Sequence, residues 1–281
     1  MTSLDGARVA LLEARLSSEL AALVRREGGE PVCAPAVMEV ASDVRAEIPA
    51  LIDAIQRGEC EIVVLLTGAG LDALLEQASS IGLLEHLVDA LSRVMTVCRG
   101  PKPAAVLRRH RIPVRLSAAS PHTTSELLAI LPDTVVGGRS IALLHDGGGN
   151  QLLVDALRLR GAQIRELRAY EWRLPADLAP VEHLVEQLIE GRVDAVAFTN
   201  QVQIRHLLEV GVRMKRGAAL LYALRHRTIV GSIGPTCTAV LTEAGVAPDV
   251  VASPPRMRPL VMAVASCLAA RRSHPFSEAV R

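Results

Sequence analysis

Val230-Gly-Ser-Ile-Gly-Pro-Thr-Cys-Thr-Ala-Val-Leu-Thr-Glu-Ala-Gly-Val-Ala-Pro-Asp-Val-Val-Ala252 reads as strand, tight turn, helix, stop and strand. Residues 228–233 are β-branched and apolar. Gly234 lets the chain leave the strand sharply. Pro235 suits the first turn of a helix, where its missing N–H costs nothing. Thr236 and Thr238 stand where hydroxyls can satisfy free amides. Residues 239–244 are helical, and Gly245 stops them. Such a turn at a strand's carboxyl end aims main-chain N–H groups and a helix N-terminus at one point, which suits an anion.

The device occurs twice. Gly100-Pro-Lys-Pro-Ala-Ala-Val-Leu107 matches Gly234-Pro-Thr-Cys-Thr-Ala-Val-Leu241 at Gly, Pro, Ala, Val and Leu. Upstream of each lies an apolar strand ending in threonine, at Thr67 and at Thr199. Arg8-Val-Ala-Leu-Leu12 likewise matches Arg139-Ser-Ile-Ala-Leu-Leu144, each leading into a helix and a second strand. The order is short unit, long unit, short unit, long unit. That is an internal duplication with too long a period for a solenoid, and it implies two similar α/β domains.

The 281 residues suffice for two domains. Half are hydrophobic but only 2 % are aromatic, so the cores must be built from Ala, Leu, Val and Ile. The formal net charge of +1 gives no global argument for a nucleic acid or a membrane surface. Five scattered cysteines without a C-x-x-C pair argue against a disulfide framework and a zinc site. Reduced thiols and the absence of a signal-like or membrane-spanning run predict a cytoplasmic protein.

Strands are expected at 7–12, 31–35, 61–67, 94–98, 114–117, 141–144, 163–170, 193–199, 227–233 and 250–252. The run Ile62-Val-Val-Leu-Leu66 suits a parallel sheet covered on both faces. Residues 37–46 and 171–180 lack a clear period and read as crossovers. The division is therefore 1–37 plus 173–281 for a discontinuous first domain and 38–172 for a second domain inserted into it. Two strands joining two lobes suggest a hinge. The Arg271-Arg-Ser-His-Pro275 composition suggests fraying after the last helix.

Several residues invite chemistry. His145-Asp-Gly-Gly-Gly149 lacks the Lys-Ser/Thr of a nucleotide loop and reads as a flexible helix entry. His110, His122 and His145 are not in metal-ligand spacing and read as surface or helix-end histidines. Tyr170, one of two tyrosines, falls at a strand end before the second crossover, where a phenol would face a cleft or pack on the hinge. Thr67, Thr199 and Asn200 end strands at carboxyl edges, where ligands bind in open α/β sheets and where hydroxyls also cap turns. Arg99 and Lys102 flank Gly100 and read equally as carboxylate ligands or as a solvated pair.

With these residues in place, the chain resembles the uroporphyrinogen-III synthases. The matching pieces are Ala197-Phe-Thr-Asn200, Ser232-Ile-Gly-Pro-Thr-Cys-Thr-Ala239, Gly245-Val-Ala-Pro-Asp-Val-Val-Ala252, the 152–161 segment and Tyr170. The resemblance implies two flavodoxin-like α/β domains with parallel sheets, a two-strand hinge, and the second domain inserted into the first. It implies a cytoplasmic, monomeric, cofactor-free lyase of porphyrin (haem) biosynthesis that binds no metal. Such an enzyme cyclises hydroxymethylbilane with inversion of ring D. Tyr170 would then assist departure of the hydroxyl. Arg15, Thr67, Gly68, Arg99, Gly100, Lys102, Thr199, Asn200, Gly234, Pro235, Thr236 and Thr238 would bind the substrate's carboxylates. The chain departs from the family pattern at Asn200, usually serine, and at Gly68. Two other readings remain open on the sequence. One is a non-catalytic homologue that binds a tetrapyrrole or another polyanion as a regulator. The other is a hinged solute-binding protein, which the missing signal peptide disfavours.

Overall fold

The computed structural model describes residues 3–14 and 16–273. Arg15 and the expected fraying beyond Ser273 lie outside the described residues. The chain forms two compact units, one built from residues up to Met38 and from Arg173 onward, the other from Glu39–Trp172.

The first unit opens with β1 (Arg8–Leu11), α1 (Ser17–Arg26) and β2 (Glu30–Cys33). The chain then passes through β3 (Met38–Ala41) into the second unit. There it forms α2 (Glu47–Gln56), β4 (Ile62–Leu65), α3 (Gly68–Ser80), α4 (Leu84–Arg93), β5 (Met95–Cys98) and α5 (Pro101–Arg109). It continues with β6 (Leu116–Ser117), α6 (Thr124–Ala129), α7 (Asp133–Val136), β7 (Ser140–Leu144), α8 (Gln151–Leu159) and β8 (Gln163–Leu167). β9 (Tyr170–Arg173) pairs with β3 in a two-stranded sheet. The first unit is completed by α9 (Ala179–Ile189), β10 (Ala195–Phe198), α10 (Gln201–Arg213), α11 (Gly217–His226), β11 (Ile229–Ser232), α12 (Pro235–Glu243), β12 (Val250–Val251) and α13 (Met257–Ser273).

Each unit holds a five-stranded, all-parallel sheet, in the orders β12-β11-β10-β1-β2 and β6-β5-β4-β7-β8. Numbered along the chain, the first is 2-1-3-4-5, the flavodoxin order, and the second is 3-2-1-4-5. They are one sheet opened at different strands. β4, β5 and β6 stand where β10, β11 and β12 stand, and β7 and β8 where β1 and β2 stand. The repeat seen in the sequence is thus a repeat of strand positions.

Alternate residues of each central strand feed opposite cores. Val63 and Leu65 join the cluster under α2, α3 and α4, while Ile62 and Val64 join the one under α6 and α8. In the first unit Val196 and Phe198 face α9, α10 and α11, while Ala195 and Ala197 face α1 and α13. Gly231 in β11 is a packing requirement. A Cβ there would lie 2.8 Å from Val264 and 3.0 Å from Leu260 of α13.

Details differ from the sequence reading. The 37–46 segment contains a strand, β3, which pairs with β9. The expected 163–170 strand stops at Leu167, and Tyr170 instead opens β9. α5 starts at Pro101, because prolines are tolerated in a first turn. α11 follows Lys215 at φ 61, a left-handed turn without the glycine that usually signals one. Of the 246–252 run, only Val250 and Val251 pair.

Phe198 is the one fully buried aromatic among the described residues. Phe198→Ala is expected to destabilise the first unit by about 3–5 kcal/mol, read as a lower urea midpoint by circular dichroism.

Candidate active site

Parallel strands end on one edge of a sheet, so the carboxyl edge of each unit gathers several loops. In the second unit, Thr67 follows β4 and caps α3, its hydroxyl accepting the Gly70 N–H at 3.0 Å. The same oxygen lies 3.2 Å from the Tyr170 hydroxyl. The phenol ring is held between two glycines. A Cβ on Gly70 would come to 3.3 Å of the ring, and one on Gly147 to 2.6 Å. Gly147 also has φ +82, where a side chain is strained. Trp172 meets Tyr170 edge-on at 5.5 Å. Its ring N–H donates to the Asp146 carbonyl at 3.0 Å, and its main-chain N–H donates to the Gly147 carbonyl at 3.1 Å.

Tyr170 is 3 % exposed, and burial pushes its phenol up to about 12. It is a neutral hydroxyl at physiological pH. Thr67 and Tyr170, singled out in the sequence, therefore come together within the second unit. Gly68 joins them by close approach. A Cβ there would meet the Lys102 main chain at 3.1 Å, so glycine lets α3 begin against α5.

Arg99, after β5, donates to Asp146, after β7, at 2.7 Å. It is not a solvated partner of Lys102, which is exposed. His145 is 1 % exposed, contrary to the surface role read for it. Its Nε2 lies 2.9 Å from Glu166, which also meets Arg158 and Arg168. Burial lowers the His145 pKa, and the Glu166 hydrogen bond opposes that. Neutral His145 donating from Nε2 leaves Nδ1 a bare acceptor, buried and without a partner.

At the carboxyl edge of the first unit, Asn200 caps α10, its side-chain oxygen accepting the Val202 N–H at 2.9 Å. Gln203 closes a capping box by accepting the Asn200 N–H at 3.3 Å. Asparagine caps as well as serine, so the departure at this position keeps the local structure. The Thr199 hydroxyl donates to the Glu13 carboxylate, and the Gln203 amide donates to the same oxygen at 3.2 Å. Ser232 accepts the Gly234 N–H at 3.4 Å and lies 2.9 Å from the Thr238 hydroxyl.

Gly234 and Gly100 each cap a helix without a side chain, ahead of Pro235 and Pro101. Their φ values of 168 and −173 are extended backbone open to any residue, so the sharp exit expected of Gly234 is not its purpose. Space is. A Cβ on Gly234 would touch Pro255 at 3.3 Å, and one on Gly100 the His122 ring at 3.1 Å. Thr236 and Pro235 are exposed on the first turn, and Thr238 is partly buried. Cys237, beside them, is pushed up to about 12 by burial and stays a thiol despite the helix N-terminus.

Sequence reasoning missed Glu13, Gln203, His145, Asp146, Gly147 and Trp172. The Asn200-x-x-Gln203 spacing is a capping-box signature that would have found Gln203. The only tryptophan, two residues after Tyr170, was a signal too. Nothing local marks Glu13, and the glycine-rich run that contains Asp146 carries no sign of its ion pair with Arg99. Among the described residues no group of three or more His, Cys, Asp or Glu could hold a metal ion.

The chain is similar to known proteins. A mutant uroporphyrinogen III synthase from the extremely thermophilic bacterium Thermus thermophilus is 28 % identical, with 94 % of this chain and all of that chain covered at a TM-score of 0.77. A Methanothermobacter thermautotrophicus protein, provisionally named a uroporphyrinogen-III synthase, is 28 % identical over 82 % of this chain and 86 % of its own. An uncharacterized Bacillus subtilis protein is 26 % identical over 86 % of this chain and 88 % of its own. The family model for uroporphyrinogen-III synthase matches residues 18–262, which span both units and both Gly-Pro turns. The chain belongs to the uroporphyrinogen-III synthase family.

Proposed function

We propose that the protein is an active uroporphyrinogen-III synthase, a lyase that cyclises hydroxymethylbilane with inversion of ring D. The observation that carries this reading is the Tyr170 phenol, neutral and held at a sheet's carboxyl edge by Thr67, Gly70, Gly147 and Trp172. The hydroxyl of the bilane must leave as water, taking one proton as its C–O bond breaks. If Thr67 donates to the Tyr170 oxygen, the phenol proton is free for the departing oxygen. The azafulvene cation left behind is attacked by the substituted carbon of ring D, giving a spiro intermediate that reopens and recloses at the free α-carbon with the ring inverted, and the proton lost from that carbon balances the one taken by the departing water. The protein's share is to hold the chain in the reactive conformation and to meet developing charge with fixed groups. In this reading the uncapped turns at Gly100 and Gly234, with Lys102, Thr236 and Thr238, take substrate carboxylates. The enzyme works as a cytoplasmic monomer. Among the described residues no helix is long and apolar enough to cross a membrane.

A non-catalytic tetrapyrrole binder is the second reading. One observation favours it: the Tyr170 hydroxyl is buried and already engaged with Thr67. A coupled assay separates the two. Hydroxymethylbilane is generated in situ and the oxidised porphyrin isomers are resolved. The synthase gives isomer III above the spontaneous isomer I, and Tyr170→Phe lowers the rate about a hundredfold, as for loss of one positioned proton donor. Isomer I alone, from folded protein that still binds porphyrin, establishes the binder.

The buried phenol also sets a pH dependence. Its raised pKa means that the folded protein keeps a proton that an unfolded tyrosine gives up above its ordinary value of 10. The stabilisation is whole below pH 10 and is lost as pH rises toward about 12. The urea midpoint of wild type should fall through that window, and that of Tyr170→Phe should fall less.

A further inference from the structure

Asp146 has no role in the synthase reading, yet its position is unusual. It follows β7, one residue before the glycine that clamps Tyr170. One carboxylate oxygen accepts from Arg99 Nη1 at 2.7 Å. The other is buried without a hydrogen-bond partner. A buried carboxylate with half its acceptors unused is costly unless something else requires it.

The exposures of the pair say which end is offered outward. The Arg99 side chain is 23 % exposed and that of Asp146 only 10 %. The acid is the more buried partner, on Nη1, and the arginine side chain keeps part of its surface open to solvent. A guanidinium has five N–H donors in a rigid fork, so one carboxylate behind it leaves donors for a second in front. An untethered arginine would sample many rotamers at this edge. Tethered to Asp146, it is presented in one, from the residue that precedes the Gly100 turn.

We propose that Asp146 is a positioning residue that holds Arg99 as a preorganised receptor for a carboxylate of a tetrapyrrole ligand at the carboxyl edge of the second unit. The proposal rests on the synthase reading for the ligand's identity, but not on turnover. Uroporphyrin III, an octacarboxylate, serves as probe, and quenching of Trp172 reports its binding as the only tryptophan fluorescence in the chain.

The test is a double-mutant cycle on Asp146→Asn and Arg99→Gln in the full chain, with the dissociation constant for uroporphyrin III, the KM for the bilane and the thermal midpoint measured for each. Each single variant is expected to weaken binding and raise KM about tenfold, and the double variant to be no worse than either, as for residues acting as one unit. Asp146→Glu, which keeps the carboxylate, should recover part of the affinity. Multiplying effects, or a lower thermal midpoint with unchanged binding and KM, would overturn the proposal. So would wild type that does not bind the porphyrin. Normal coupling in binding without any isomer III would instead overturn the synthase reading and leave Asp146 in its role.

Discussion

A sheet of parallel strands has to be covered on both faces, and that requirement dictates most of this molecule. Each strand must be regained by a crossover, so helices fall on both sides and every carboxyl end falls on one edge. The central strands β4 and β10 are apolar at every residue because both faces are core. No catalytic polar group can project from within them. Chemistry is confined to the residue or two after each strand, which is where Thr67, Arg99, Asp146, Thr199 and Gly234 all stand.

Scarcity of aromatics sharpens this. With so few large rings, both cores are filled by Leu, Val, Ile and Ala, and the small residues allow close backbone contact, as where Gly231 meets α13. The second unit places its Tyr and Trp together at the edge rather than in the core. Their cost in space is met by Gly70 and Gly147, which is why a glycine-rich stretch with no nucleotide-loop spacing follows β7.

The fold was legible because its signals are local and repeated. Gly100-Pro101 and Gly234-Pro235 each mark a strand-to-helix junction, and the matching apolar runs reveal two equivalent sheets. What stayed hidden depended on residues far apart in the chain. Glu13 meets Thr199 across 186 positions, and Arg99 meets Asp146 across 47. No periodicity announces such pairs. His145 misled because a histidine before glycines reads as exposed, whereas its partner Glu166 lies on the neighbouring strand β8. The glycines at 100 and 234 were recognised, but for the wrong reason: they relieve crowding, not dihedral strain.

The two edges are built alike yet are not chemically equal. Thr199 already holds the chain's own Glu13, and Arg99 gives one N–H group to Asp146 and keeps others for a ligand. The Gly-Pro turns are different, since no side chain caps them. After Gly234 the first turn carries the N–H groups of Thr236 and Cys237, with proline only at 235. After Gly100, Pro101 and Pro103 remove two amides and leave that of Lys102 between them. The position that is Thr236 in one turn is Lys102 in the other, so an ammonium on a long stem stands where a short hydroxyl side chain stands in its counterpart. The turn of the first unit is thus equipped to meet an anion with oriented dipoles, and that of the second with one amide and a charge on a long stem. A duplicated scaffold has come to offer two different anion-binding surfaces through substitutions that leave both helices starting at the same place.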